Sequence, residues 1–119
     1  MAENETKTPF NLNELIDLYG EETTFELLQM SVDEATGLLQ QIHQGIDARD
    51  AKMVMAAAHQ LKGLASTMTI NSLAKISLEL ETAARQEKWE NVPDAEQRLK
   101  TEFDAVAAHI ATLLSGRGS

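Results

Sequence analysis

The sequence predicts an all-α protein, an antiparallel four-helix bundle with a short N-terminal capping helix. Hydrophobic residues make up 43% of the chain but aromatic residues only 4%, so the core must be largely aliphatic. Six glycines and two prolines in 119 residues leave few helix breakers. Apolar residues recur at spacings of three and four in four long stretches, which indicates amphipathic helices. Long amphipathic helices with short connections are typical of a four-helix bundle within a single domain.

The predicted capping helix and the first long helix occupy the N-terminal part of the chain. The capping helix lies near Pro9–Tyr19, and Gly20 is suited to end it. The first long helix runs from about Glu22 to Ile46. Its apolar stripe consists of Leu28, Val32, Ala35, Leu39, Ile42 and Ile46.

The next long helix begins at Asp50, a favourable N-cap residue, and runs to about Met68. Asn71 or Ser72 is predicted to cap the following helix, which extends to about Lys88. Pro93 suits the first turn of the last helix. The bundle is therefore predicted over residues 9–115, with flexible tails at 1–8 and 116–119.

The composition excludes several classes of function. A formal net charge of −9 argues against nucleic acid and against an anionic membrane surface as partners. The absence of cysteine excludes disulfides, thiolate metal sites and cysteine nucleophiles. The polar, acidic start does not resemble a signal peptide, and no apolar run is long enough to cross a membrane. We therefore expect a cytoplasmic chain, free or attached to something larger.

One histidine is predicted to point away from the core. At ~100° per residue, His59 falls roughly 150° from the centre of the apolar stripe of its helix. The residues predicted to share its face are Met55, Ala56, Lys62, Gly63 and Ser66. Glycine within a helix costs about 1 kcal/mol relative to alanine, and Gly63 does not face the core. The small residues on this face are therefore interpreted as clearance for another protein that approaches His59.

The pattern around His59 favours phosphoryl transfer. A neutral imidazole is a nucleophile near pH 7, because the pKa of a histidine side chain in water is about 6.5. The attacking nitrogen lone pair carries no proton, so no separate base is needed. Lys62, one turn later, can place positive charge beside a group attached to the ring. No Mg²⁺ ligand set surrounds His59 in the sequence, so we expect no bound cofactor and a metal supplied by the partner.

The same residues resemble a known signature. Residues 58–63 read Ala-His-Gln-Leu-Lys-Gly, and the histidine-containing phosphotransfer (HPt) family has the pattern A-H-x-L-K-G. Asp50 begins the helix at the distance that the family favours, and residues 80–85, Leu-Glu-Thr-Ala-Ala-Arg, are similar to a stretch on the family's next helix. The resemblance covers roughly residues 12–114.

The resemblance implies a role for each residue of the signature. His59 would be the phosphoacceptor, Lys62 would support the phosphate, and Gly63 would permit docking of a response-regulator receiver domain that carries Mg²⁺. A hybrid sensor histidine kinase is the other implied partner, and the chain is expected to be a monomer. No ATP-binding motif is present, so a phosphoryl carrier is expected and not a kinase. One position departs from the family, because Thr69 stands where a glycine is common.

Other interpretations remain open from the sequence. His43 and His109 are rival histidines, but neither is followed by lysine and glycine at the spacing seen after His59. A di-iron bundle enzyme needs Glu-x-x-His on two helices, and no such pair occurs. A haem bundle using methionine and histidine is formally possible. The main alternative is a non-catalytic interaction module that binds a receiver domain or kinase without phosphotransfer.

Overall fold

The computed structural model describes residues 9–117 and, within them, contains helices and no strand. The elements are α1 (Leu12–Tyr19), α2 (Glu21–Asp47), α3 (Ala51–Thr67), α4 (Asn71–Arg85), a single 3₁₀ turn (Trp89–Asn91) and α5 (Val92–Arg117). The predicted all-α bundle with a short N-terminal helix is confirmed. None of the described helices is long and apolar enough to cross a membrane.

The four long helices pack in chain order around one core. Helix α3 lies between α2 and α4, and α5 packs against both α4 and α2, which closes the bundle. Each of the four long helices contributes fully buried side chains from one face, because residues three and four apart share one face of a helix. The largest of them are Leu28, Ile42, Val54, Leu61, Leu80, Leu99, Val106 and Ile110.

Three of the turns between helices use a left-handed residue other than glycine. The φ angles are 52° at Arg49, 61° at Thr69 and 54° at Glu87. After each of these residues the next backbone N–H donates to a carbonyl five residues earlier, as in the Schellman motif. These bonds are Asp50 N to Gly45 O (2.8 Å), Ile70 N to Ala65 O (2.8 Å) and Lys88 N to Ala83 O (2.9 Å). The turn after α3 therefore forms although Thr69 replaces the glycine that is common in the family.

Thr69 also connects the capping helix to the bundle. Its Oγ1 accepts a hydrogen bond of 2.9 Å from the backbone N–H of Asn11. Asn11 is the N-cap of α1, and its own side chain accepts from Glu14 N at 3.0 Å. The Thr24 hydroxyl donates to Leu15 O at 3.0 Å and ties α1 to α2. Helix α1 is thus tied to the rest of the chain at its N-cap residue and near its middle.

Some predicted boundaries differ from the structure. Neither candidate side chain caps α4: Ile70 is the N-cap residue and makes no side-chain cap bond, and the Ser72 hydroxyl donates to Glu102 Oε2 at 2.7 Å. Helix α4 ends at Arg85, before the predicted end, and a 3₁₀ turn follows. Helix α5 extends to residue 117, beyond the predicted limit of the bundle at 115. The predicted tail at 1–8 and residues 118–119 lie outside the described residues.

Gly45 allows α2 and α3 to approach closely where they meet. A Cβ atom at this position would lie 2.8 Å from Val54 Cγ2 and 3.2 Å from Val54 N. Val54 is fully buried, so it has little room to move. We expect Gly45→Ala to lower the free energy of unfolding by about 1–3 kcal/mol, measured by urea denaturation.

Gly37 on the same helix is the matched control. A Cβ atom there would meet nothing within 4 Å. Gly37→Ala should therefore raise the free energy of unfolding by about 0.4–1 kcal/mol, since alanine restricts the unfolded chain. Equal shifts for the two variants would contradict the packing role of Gly45.

Candidate functional site

His59 projects from the middle of α3 into solvent, as the helical periodicity predicts. Its side chain is 65% exposed, whereas Ala58 and Leu61 beside it are buried. The five other residues predicted to share this face are all at least partly exposed. Ala56, Gly63 and Ser66 are exposed, and Met55 and Lys62 are half-buried. We call these six residues the His59 face.

A buried carboxylate from α4 orients the imidazole. Glu81 Oε2 lies 3.2 Å from His59 Nδ1, and the Glu81 side chain is only 8% exposed. An ionised carboxylate can only accept hydrogen bonds, so Nδ1 carries the proton of the neutral ring. Nε2 then presents its lone pair on the side away from Glu81. Within residues 9–117 the structure shows no ion pair at this nitrogen.

Glu81 also gathers two cations beside the histidine. Arg85, one turn later, donates to Oε2 at 3.0 Å. The Lys62 ammonium lies 3.3 Å from Oε1, but outside hydrogen-bonding geometry. The imidazole, the ammonium and the guanidinium therefore meet at one carboxylate. A negatively charged group on His59 would have both cations close by.

Sequence reasoning did not assign a role to Glu81 or, individually, to Arg85. Both belong to the stretch at 80–85 that resembles the family, but neither was predicted as a site residue. A signal for Glu81 does exist. Ser77, Leu80 and Ala84 are buried on α4, and Glu81 lies within the same apolar stripe. A carboxylate at such a position needs polar partners, because a buried charge without them is costly.

Gly63 is not required by packing. A Cβ atom at Gly63 would meet nothing within 4 Å, and the residue is exposed. The fold therefore carries the cost of a helical glycine without a contact that explains it. The open space one turn from His59 is what distinguishes this position.

His43 has a similar arrangement with one important difference. Its Nδ1 lies 2.8 Å from Glu96 Oε2, but its Nε2 lies 3.6 Å from Asp47 Oδ2. Both ring nitrogens of His43 therefore face a carboxylate, whereas among the described residues only Nδ1 of His59 does.

His109, the other rival, belongs to the contact between the N-terminal segment and α5. It is half-buried, and its ring meets the edge of Phe10 with centroids 5.5 Å apart and planes at 75°. Phe10 is buried, so this contact is part of the packing around α1. His109 therefore differs from His59 by its packing against Phe10, and His43 differs by the second carboxylate at its ring.

Charge is unevenly distributed around the bundle. Residues 9–48 carry no lysine or arginine, and all their carboxylates are exposed: Glu14, Asp17, Glu21, Glu22, Glu26, Asp33, Glu34 and Asp47. Residues 49–88 carry more cations than carboxylates, namely Arg49, Lys52, Lys62, Lys75, Arg85 and Lys88. His59 lies in this second segment, and Lys62 and Arg85 are the cations of the segment that share Glu81 with it. Within the described residues no group of three histidine, aspartate or glutamate side chains could hold a metal ion.

The described chain is a helical bundle with a solvent-facing histidine whose Nδ1 is held by a buried carboxylate. The chain belongs to the Hpt domain family, because the family's sequence model matches residues 26–109. The resemblance seen in the signature around His59 is thereby confirmed. A comparison with curated proteins gave no significant match.

Two solved structures are similar to this chain. Histidine-containing phosphotransfer protein B (HptB) from Pseudomonas aeruginosa PAO1 has 26% sequence identity and a TM-score of 0.82, over 89% of this chain and 94% of that one. The HPT domain of the Hpt sensor hybrid histidine kinase from Shewanella has 17% identity and a TM-score of 0.75, over 92% and 96%. The second likeness concerns the fold alone. Family and fold together support a histidine phosphotransfer role in phosphorelays.

Proposed function

We propose that His59 accepts a phosphoryl group on Nε2 and relays it to or from an aspartate of a response-regulator receiver domain. One observation carries the proposal: Glu81 occupies Nδ1 at 3.2 Å, which leaves Nε2 as the exposed nucleophilic nitrogen of a chain in the Hpt family. The proposed donor of the phosphoryl group to His59 is a phosphorylated receiver domain, and receiver domains within hybrid sensor histidine kinases are included.

The transfer step needs little covalent chemistry from the protein. The Nε2 lone pair forms a bond to phosphorus while the bond from phosphorus to the aspartyl oxygen breaks and its electron pair returns to the carboxylate. Nδ1 keeps its proton throughout, so no base is required. The ring becomes positively charged as the bond forms, and the adjacent Glu81 carboxylate stabilises that charge. The reverse sequence returns the phosphoryl group to a receiver.

Lys62 and Arg85 stabilise the charge on the transferring group. Both side chains pair with Glu81, which also contacts His59. Either cation can therefore turn toward the oxygens of a phosphoryl group bound to Nε2. Mg²⁺ is proposed to be supplied by the receiver domain. The exposed part of the His59 face, with Ala56, Gly63 and Ser66, forms the docking surface together with Met55. The protein is proposed to act as a cytoplasmic monomer.

The decisive experiment is direct transfer from a phosphorylated receiver domain. The protein is mixed with receiver domains labelled on aspartate, and the acid-labile, base-stable label on the bundle is followed with time. Transfer to His59 supports the proposal. Receiver binding without label, while small donors also fail to label the histidine, would favour the non-catalytic interaction module.

Lys62→Ala should slow transfer without abolishing it. The ammonium is partly exposed and Arg85 remains, so we expect a reduction of about two- to fivefold at low salt. Stopped-flow or rapid-quench measurement of the transfer rate tests this. Lys52→Ala removes the same charge from the same helix, two turns before His59, and serves as the control. Equal rates for the wild type and Lys62→Ala would remove Lys62 from the mechanism.

A further inference from the structure

Two buried polar atoms behind His59 lack hydrogen-bond partners. Within residues 9–117, Ser77 Oγ and Glu81 Oε1 are the buried side-chain oxygen or nitrogen atoms without one. Ser77 is completely buried and Glu81 is 6% exposed. Buried polar groups are nearly always hydrogen-bonded, because an unpaired one costs free energy. A pair of such atoms beside the reactive histidine calls for an explanation.

The two residues are placed to reach each other. Ser77 precedes Glu81 by one turn of α4, so their side chains lie on the same face. Long side chains in a helix lean toward its N-terminus, which brings the Glu81 carboxylate over the turn that contains Ser77. Ser77 Oγ and Glu81 Oε1 make no hydrogen bond in this structure, so Ser77 becomes a donor to Glu81 by a change of side-chain rotamer.

Lys62 currently occupies the position beside Glu81 Oε1. Its ammonium is 3.3 Å away, but in a geometry that makes no hydrogen bond, and its side chain is 30% exposed. A phosphoryl group on His59 Nε2 carries about two negative charges and attracts this cation away from the singly charged carboxylate. Glu81 Oε1 would then be buried with no partner at all.

We propose that Ser77 is a positioning residue that donates to Glu81 Oε1 when Lys62 moves to the phosphoryl group. The exchange keeps Glu81 on Nδ1 of the phosphorylated ring and frees Lys62 for the phosphate. This inference rests on the proposed function. It means that the Ser77 hydroxyl contributes a hydrogen bond in the phosphorylated state and none in the resting state.

Ser77→Ala tests the exchange, with Ser31→Ala as a matched control. Ser31 is also a buried serine, on α2, away from Glu81. Each variant of the 119-residue chain is phosphorylated with phosphoramidate, and the decay of phosphohistidine is followed by phosphorus NMR. Ser77→Ala should lose the phosphoryl group about tenfold faster than the wild type, the factor expected for one hydrogen bond to a charged group. The unphosphorylated variant should melt at or above the wild-type temperature, and Ser31→Ala should decay at the wild-type rate.

A double variant distinguishes this role from simple loosening of the core. In a resting Lys62→Ala protein no ammonium lies at Glu81 Oε1, so Ser77 already donates there, and adding Ser77→Ala should lower the melting temperature by several degrees, although the same change does not lower that of the wild type. Equal melting shifts in the two backgrounds, a wild-type decay rate for Ser77→Ala, or faster decay of Ser31→Ala would each overturn the inference. A wild-type protein that takes no label on histidine would instead overturn the proposed function.

Discussion

His59→Gln is expected to give a folded bundle that takes up no phosphoryl group from any donor. The His59 side chain is 65% exposed and points away from the core, so glutamine can replace it without disturbing the packing. Glutamine has no nucleophilic nitrogen, so the loss of label should be complete. Acid-labile labelling by phosphoramidate and by a phosphorylated receiver measures the loss. The helical circular-dichroism spectrum and melting temperature measure the fold.

His43→Gln and His109→Gln are the controls for this substitution. Both should retain labelling at the wild-type level, because neither histidine has Nε2 exposed in a cationic setting of the kind seen at His59. Two results would contradict the assignment. One is early melting of His59→Gln, which would make the residue structural. The other is persistent labelling of that variant, which would move the phosphoacceptor elsewhere.

Gly63→Gln should separate docking from chemistry. Its side chain would stand one turn from His59, in space that is open in the structure. In-line transfer tolerates little misplacement, and an error of about 1 Å can cost on the order of a hundredfold in rate. We therefore expect transfer from a receiver to fall by roughly that factor. Labelling by phosphoramidate should stay near wild type, since a small donor needs no such clearance.

Gly63→Ala completes the comparison. Alanine adds one methyl group to open space, so the domain should become more stable by about 0.4–1 kcal/mol, with transfer affected less than in the glutamine variant. Equal loss of both kinds of labelling in Gly63→Gln would mean that the glycine shapes the histidine itself. Loss of neither would mean that this space has no role in docking.

Periodicity predicted the parts of the site that lie on one helix. His59, Lys62 and Gly63 fall within five consecutive residues, so a helical wheel was enough to place them together on one face. The apolar stripe of α2 was predicted for the same reason, although Leu38 is buried where the stripe predicted Leu39. The capping of α4 was not, because Ser72 has a partner in Glu102, 30 residues away, that local patterns do not reveal.

Glu81 shows why the rest of the site escaped prediction. It reaches His59 only because α3 and α4 pack side by side, and its sequence separation of 22 residues carries no periodic signal. Its place in the buried stripe of α4 made it unusual but did not identify its partner. The groups that pair with a buried carboxylate depend on how the helices pack, and a single sequence does not specify that packing. Gly45 was missed in the same way, because its close approach to Val54 is a contact between two helices.

The left-handed turn at Thr69 is hydrogen-bonded to the start of α1, which lies 58 residues earlier in the chain. A residue with a Cβ atom in this conformation costs about 1–2 kcal/mol, which a glycine would avoid. The threonine hydroxyl offsets part of that cost by binding the backbone of Asn11, 58 residues away. A glycine at this turn would remove the strain and the anchor of α1 together. A substitution at residue 69 that removes the hydroxyl would therefore loosen the start of α1 without any change in the sequence of α1 itself.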